Sequence, residues 1–179
     1  MRLTLLPVAA LVLAACGETH APAPEKTMAL RAAQQALAFR AASETARMFT
    51  GDLSIDRDGV TFAKGARLDT RTLTPREADE LTSRGGDSFA AIALSSGDLR
   101  VEVRGVVSQR LQQGAPSLCP GDLAPTFIAL VYGRRDMRVT LLLFTGADEP
   151  GPDATDSQVC ATYAYATPDG ARTRQGVVL

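Results

Sequence analysis

The chain has 179 residues and a formal net charge of −1, with 19 basic and 20 acidic side chains. This balance provides no basic surface for DNA or RNA, so we expect no nucleic-acid partner. One histidine, His20, and three cysteines are present. Hydrolase sites built on serine or cysteine normally need a histidine base, and zinc sites need histidine or free cysteine, so the sequence predicts neither kind of site and no cofactor.

The N-terminus has the layout of a secretion signal. Arg2 precedes an apolar stretch, Leu3 to Leu13, that is shorter than the roughly 20 residues of a membrane-spanning helix. The segment Leu13-Ala14-Ala15-Cys16 then resembles the lipobox of bacterial lipoproteins, and this resemblance covers residues 1–16 only. It implies that residues 1–15 are a cleaved signal peptide and that Cys16 carries the lipid, palmitate included. An ordinary secretory signal is the alternative.

The residue after the lipobox bears on location. Enterobacterial lipoproteins with Asp at this place stay in the inner membrane, whereas this chain has Gly17. The resemblance therefore implies a protein of the cell envelope, anchored in the outer membrane by its lipid and facing the periplasm. Residues 16–27 contain two Ala-Pro pairs and little apolar area, which predicts a disordered tether.

Residues 28–179 are predicted to form a single β-rich domain. Its first segment, Met28 to Arg47, is rich in strong helix formers and predicts a helix that either packs on the domain or extends the stalk. After this segment the apolar residues recur at every second position, as in a β-strand. Residues 49–55 and 60–62 predict a hairpin around a turn at 56–59, and residues 66–72 predict a third strand.

A short helix is predicted from Pro75 to about Ser83. Thr74 is the expected capping residue, Pro75 suits the first helical turn, and Glu77 completes a capping box. Gly85 follows as a stop signal.

Three further hairpins are predicted, with arms at 89–94 and 99–107, 126–132 and 137–145, and 160–166 and 171–179. In the first of them, Val101 and Val103 alternate with Arg100 and Arg104, which predicts that the arginines lie on the solvated face. About nine antiparallel strands result. The fold class is therefore mainly β (α+β), with the sheet forming a small barrel or a two-layer sandwich.

Two cysteines remain once Cys16 is lipidated, and they lie in an oxidising compartment. Cys119 and Cys160 are therefore predicted to form a structural disulfide. No CxxC pattern indicates a redox thiol.

Acidic segments offer weak candidates for cation binding. Asp56, Asp58 and Gly59 match only the middle of a calcium loop, and a hairpin turn explains them better. Residues 148–156 contain four acids and are interpreted as a solvated loop. Arg134 and Arg135 at a hairpin tip are candidate contacts for an acidic partner or anionic lipid.

These observations predict a lipid-anchored envelope protein that binds a protein partner without catalysis. An inhibitor is one form of this prediction, because periplasmic lysozyme inhibitors are also small, lipid-anchored β domains with a disulfide. That similarity is one of architecture alone. The alternatives are a structural or assembly lipoprotein of an outer-membrane complex, a hydrolase that works with carboxylates, and a barrel that binds a small ligand.

Overall fold

A computed structural model of the protein describes residues 36–133 and 138–168. The strands are β1 (Leu37–Ala41), β2 (Leu53–Ile55), β3 (Gly59–Phe62), β4 (Ala66–Thr72), β5 (Leu99–Leu111), β6 (Phe127–Gly133), β7 (Arg138–Thr145) and β8 (Gln158–Ala166). Short helical elements are a π-helical turn (Ala46–Thr50), α1 (Phe89–Ile92) and a 3-10 turn (Pro120–Asp122). Among the described residues, no helix is long and apolar enough to cross a membrane.

The strands form a closed antiparallel barrel in which each strand pairs with the next one along the chain. Closure is made by two residue pairs between β1 and β8, Arg40 with Ala166 and Ala41 with Tyr165. The predicted mainly β, antiparallel fold is confirmed, and it takes the barrel form. The signal peptide, Cys16, the tether, residues 28–35 and the whole predicted strand 171–179 lie outside the described residues.

Two apolar layers explain why β6 and β7 are apolar on both faces. The inner faces of the strands fill the barrel with side chains such as Leu130 and Tyr165. The connection between β4 and β5 crosses the outer face of β5, β6 and β7, where Phe89 packs edge-on against Phe144 with ring centroids 6.2 Å apart. This layer completes the burial of β6 and β7.

The predicted helix from Met28 to Arg47 is wrong at residues 37–41, whereas Ala46 and Arg47 lie in the π-helical turn. Residues 37–41 form β1, in which Phe39 is buried between the exposed Ala38 and Arg40. Pairing on both sides, with β2 and β8, outweighs the helix propensity of these residues, because propensity is a weak effect beside tertiary pairing.

The predicted helix from Pro75 to Ser83 is also wrong. Arg76 instead extends along β5, and its backbone N–H donates to the Val101 carbonyl at 3.4 Å. The helical turn in this connection is α1, where Ser88 caps the chain by accepting from the Ala91 N–H. The strand predicted at 89–94 is therefore wrong as well.

The solvated position predicted for Arg104 is wrong, whereas Arg100 is exposed as predicted. Arg104 pairs with Ile128, a residue of the barrel interior, whereas Val103 packs outside with the β4–β5 connection. Arg104 is only 6% exposed. Arg100 lies on the same inward-facing side of β5, opposite Tyr132, at the exposed mouth of the barrel.

The two ends of the barrel differ. At one, which we call the entry end, the described chain enters β1 beside Ile55, β5 begins beside Gly133, and β8 ends beside Arg138. At the other, the far end, lie the π-helical turn and the long connections 112–126 and 146–157.

Candidate functional site

A groove of about 400 Å³ lies at the far end of the barrel. Its lining residues come from the π-helical turn, the segment around the 3-10 turn and the first half of β8: Thr45, Phe49, Ser117, Leu118, Cys119, Pro120, Gly121, Asp122, Cys160, Ala161, Thr162 and Tyr163. Asp122 is the one carboxylate in this lining. The groove is therefore suited to an uncharged or apolar guest.

The π-helical turn forms one wall and is fixed by buried hydrogen bonds. The Thr50 hydroxyl lies 2.9 Å from the Ala46 carbonyl and 2.7 Å from the Tyr165 hydroxyl inside the barrel. Ser43 Oγ accepts from the backbone N–H of both Ala46 and Ala164, which joins the turn to β8. Turns of this type are rare and are frequent at functional sites. Here the turn holds Phe49 at the rim.

The opposite wall is cross-linked to β8. The predicted disulfide between Cys119 and Cys160 is confirmed, with the two Cα atoms 5.4 Å apart. Beside it, the Tyr163 hydroxyl donates to the Leu118 carbonyl at 2.7 Å. Burial raises the pKa of Tyr163, so this hydroxyl stays protonated and remains a donor. The wall is thus held by one covalent bond and one hydrogen bond.

Between these walls, β8 presents part of its edge to the groove. Because its pairing with β1 is confined to its last two residues, the first half of β8 borders the groove instead of a strand. The backbone of Ala164 points to the β1 side, since its carbonyl accepts from Ala42 and Ser43. Backbone direction alternates along a strand, so the N–H of Thr162 also points to that side.

Large apolar side chains are exposed on the groove wall and at residues next to it in sequence. Phe49, on the wall, is 41% exposed, and its neighbour Met48 is 57% exposed. Leu123, the residue after Asp122, is 55% exposed. Neighbouring apolar side chains with polar surroundings are typical of interaction sites.

Two of the acidic candidates for cation binding, Asp148 and Glu149, already bond to neighbouring groups of the protein. Asp148 Oδ2 accepts from Thr155 and from the Asp156 N–H, and these hydrogen bonds lower the pKa of Asp148. Glu149 forms an ion pair with Arg76. Within residues 36–133 and 138–168, no group of three or more His, Cys, Asp or Glu side chains could hold a metal ion.

Of the other predicted site residues, Cys16, Arg134 and Arg135 lie outside the described residues. The disulfide is the one predicted feature that the structure brings into the groove. Sequence reasoning assigned Phe49 to a strand and so missed its place on the wall. No local pattern in the sequence indicates a π-helical turn, which arises from tertiary bonds such as that of Thr50 with Tyr165.

No protein-family model matches the chain, and no curated protein or solved structure matches it either.

Proposed function

We propose that the protein is a lipid-anchored lipoprotein of the cell envelope that binds an extended segment of a protein partner in the far-end groove, without catalysing a reaction. The anchor is the lipid on Cys16, in the outer membrane facing the periplasm. Support for the anchor is the lipobox-like sequence. Support for the binding role is the groove, and above all the exposed edge of β8 beside an exposed Phe49.

The chemistry of the groove favours an extended peptide over a compact ligand. A strand edge offers a main-chain N–H and carbonyl, and an added peptide satisfies both by pairing with it. The Thr162 carbonyl accepts from the Thr45 hydroxyl at 3.4 Å, which is a long hydrogen bond. An N–H of the bound peptide could therefore replace the Thr45 hydroxyl as the donor. An apolar side chain of the same peptide would lie between Phe49 and the disulfide.

Affinity in this arrangement comes mainly from apolar contact. Aromatic side chains at the centre of an interface often contribute most of the binding energy, and truncating one typically costs about 2 kcal/mol or more. Phe49 lies at the rim of the free groove, and an apolar side chain of the peptide between Phe49 and the disulfide would bring it into the interface. The turn that carries Phe49 is fixed by buried bonds and loses little freedom on binding.

Site-specific photocrosslinking in native envelopes tests the proposal. A benzophenone side chain is placed at Phe49, at Leu123, or at Val107, which is 68% exposed on β5 and serves as the control. We expect Phe49 and Leu123 to yield the same adduct, in which the crosslinked partner peptide is apolar and extended. Val107 should yield no such adduct. Equal crosslinking from all three positions would contradict a specific groove.

A matched pair of variants tests the role of the strand edge. Thr162→Pro removes the N–H that faces the groove, whereas the hydrogen bonds between β7 and β8 are made by the residues next to it and remain. Thr162→Val keeps that N–H. We expect the proline variant to lose at least tenfold in crosslinking yield at Phe49 and the valine variant to retain it. Equal yields would refute pairing of the partner with β8. Circular dichroism should show that both variants retain the folded barrel.

The lipid anchor has its own test. The intact mass of the mature protein should correspond to a chain that begins at Cys16 and carries diacylglycerol and a further acyl group. Cys16→Ser should abolish this modification and release the protein from the membrane. An unmodified Cys16 would overturn the proposed anchoring and leave the groove experiment unaffected.

A further inference from the structure

Leu94 is held in an unfavourable backbone conformation and is almost fully exposed. It follows α1 with φ +49°, in the left-handed region that favours glycine, and its exposure is 94%. Two hydrogen bonds fix this geometry: the Leu94 N–H donates to the Ala91 carbonyl, and the Ser95 N–H donates to the Ala90 carbonyl. This pattern is a Schellman motif, in which glycine normally occupies the place of Leu94.

Leu94 is therefore unfavourable for the stability of the fold in two ways. Its backbone is strained, and its side chain gains almost no burial at 94% exposure. The buried members of the outer apolar layer include Phe89 and Ala93 in the same connection. A single exposed apolar side chain is common on protein surfaces, but a non-glycine residue held in the left-handed region is an outlier from which a functional role can be inferred.

The connection that carries Leu94 runs into β5 at the entry end of the barrel. Exposed arginines lie at the same end: Arg57 in the β2–β3 turn, Arg100 near the start of β5, and Arg138 at the start of β7. Asp58 and Asp98 are the exposed acids nearest to them in sequence. The described chain also enters the barrel here, at Leu37.

We propose that the entry end rests on the surface of an anionic bilayer, with Leu94 inserted among the lipids and the arginines at the headgroups. This inference rests on the proposed lipid anchor. Residues 16–35 span up to about 65 Å when extended, at about 3.3 Å per residue, so the anchor permits this contact. Tethering raises the effective concentration of the surface to about the millimolar range, which makes a weak contact sufficient.

This orientation has a consequence for the groove. The entry and far ends are opposite ends of the same barrel, so contact of the entry end with the membrane turns the groove away from the bilayer. Phe49 and the edge of β8 then face a partner in the aqueous compartment. Membrane contact and peptide binding thus use separate surfaces and do not compete.

Tryptophan fluorescence tests the orientation, because the chain contains no tryptophan. Leu94→Trp and Leu123→Trp each introduce a single fluorophore, one in the connection that leads into β5 at the entry end and one in the connection 112–126 at the far end. The mature, lipidated full chain is reconstituted into vesicles of phosphatidylethanolamine and phosphatidylglycerol, with or without brominated acyl chains. Bromine quenches a fluorophore that enters the acyl region.

We expect brominated lipid to quench Leu94→Trp at least twofold and to shift its emission to shorter wavelength. Leu123→Trp should be unaffected. Quenching of Leu94→Trp should decrease in vesicles of phosphatidylcholine alone, and unchanged quenching there would overturn the part assigned to the arginines. Absent quenching of Leu94→Trp, or equal quenching of both variants, would overturn the orientation itself.

The same samples separate this inference from the proposed function. Flotation with the vesicles and an intact mass with lipid on Cys16 report the anchor independently of fluorescence. A lipidated, floating protein whose Leu94→Trp is not quenched refutes membrane contact by the entry end and leaves the anchor and the groove standing. A protein without lipid refutes the anchor.

Discussion

Arg104 and Glu102 form an ion pair inside the barrel. The Arg104 Nε donates to Glu102 Oε1 at 2.7 Å, and their side chains are 8% and 18% exposed. A second guanidinium nitrogen, Nη1, donates to the Asp56 carbonyl at 2.9 Å. The pair therefore ties β5 to the turn between β2 and β3 across the interior of the entry end.

Breaking this pair should destabilise the barrel. In Glu102→Leu the Arg104 guanidinium keeps its charge in a buried site without its carboxylate, and we expect a loss on the order of 3 kcal/mol. Arg104→Met should cost a similar amount because it strands Glu102 and the Asp56 carbonyl. Urea denaturation followed by circular dichroism measures both.

The double variant provides the control. With both charges replaced by apolar side chains, we expect a loss well below the sum of the two single losses, since no unpaired charge remains buried. Strict additivity of the two single effects would show that the side chains do not interact in the folded protein.

The same pair shows what sequence could and could not reveal about the sheet. The alternation of Val101 and Val103 with Glu102 and Arg104 predicts a strand, and the strand is confirmed as part of β5. Alternation alone does not tell which face is the interior. The two valines are buried outside the barrel because the β4–β5 connection covers them, and this tertiary contact has no local signal.

Other outcomes follow the same division between local and long-range causes. The hairpin of β2 and β3 is confirmed, because its turn and alternation are encoded within a few residues. The disulfide is confirmed, and it could be predicted because only one pairing remains once Cys16 is assigned to the lipid. β1 was missed because its helix-forming residues become a strand only through pairing with β2 and β8, which is determined by the whole barrel.

Replacing Leu94 with glycine should stabilise the fold. Leu94→Gly relieves the left-handed strain, typically about 1–2 kcal/mol, and loses part of this gain to the greater freedom of glycine in the unfolded chain. We expect a net increase of about 0.5–1 kcal/mol in the free energy of unfolding. Thermal and urea denaturation measure it.

Leu94→Ala is the matched variant, because alanine removes the exposed side chain but keeps the Cβ responsible for the strain. It should leave the stability nearly unchanged. A destabilised Leu94→Gly would show that the leucine side chain contributes to the fold despite its exposure. A more stable glycine variant that binds vesicles less well would fit a residue retained for function.

The disulfide should contribute substantially to stability. Cys119 and Cys160 are 41 residues apart, and a cross-link that closes a loop of this length stabilises by about 4 kcal/mol in the chain-entropy model. The variant with both cysteines changed to alanine should lose this amount. Reduction of the unaltered protein should give the same stability as the variant, and a loss below about 1 kcal/mol would contradict the model.

The last prediction concerns acid stability and Asp69, whose carboxylate accepts hydrogen bonds from Ser108, Arg67 and Arg110. These contacts, the Ser108 bond foremost, lower the pKa of Asp69 from 3.8 to about 2. The folded state therefore binds this proton less readily than the unfolded chain. The resulting stability is fully present above pH 3.8 and is lost as the pH falls from there towards 2. Asp69→Asn keeps the shape of the side chain but does not titrate, so its urea midpoint should decrease less steeply over this range. Parallel curves for the two proteins between pH 4 and pH 2 would show that Asp69 does not control this part of the acid response.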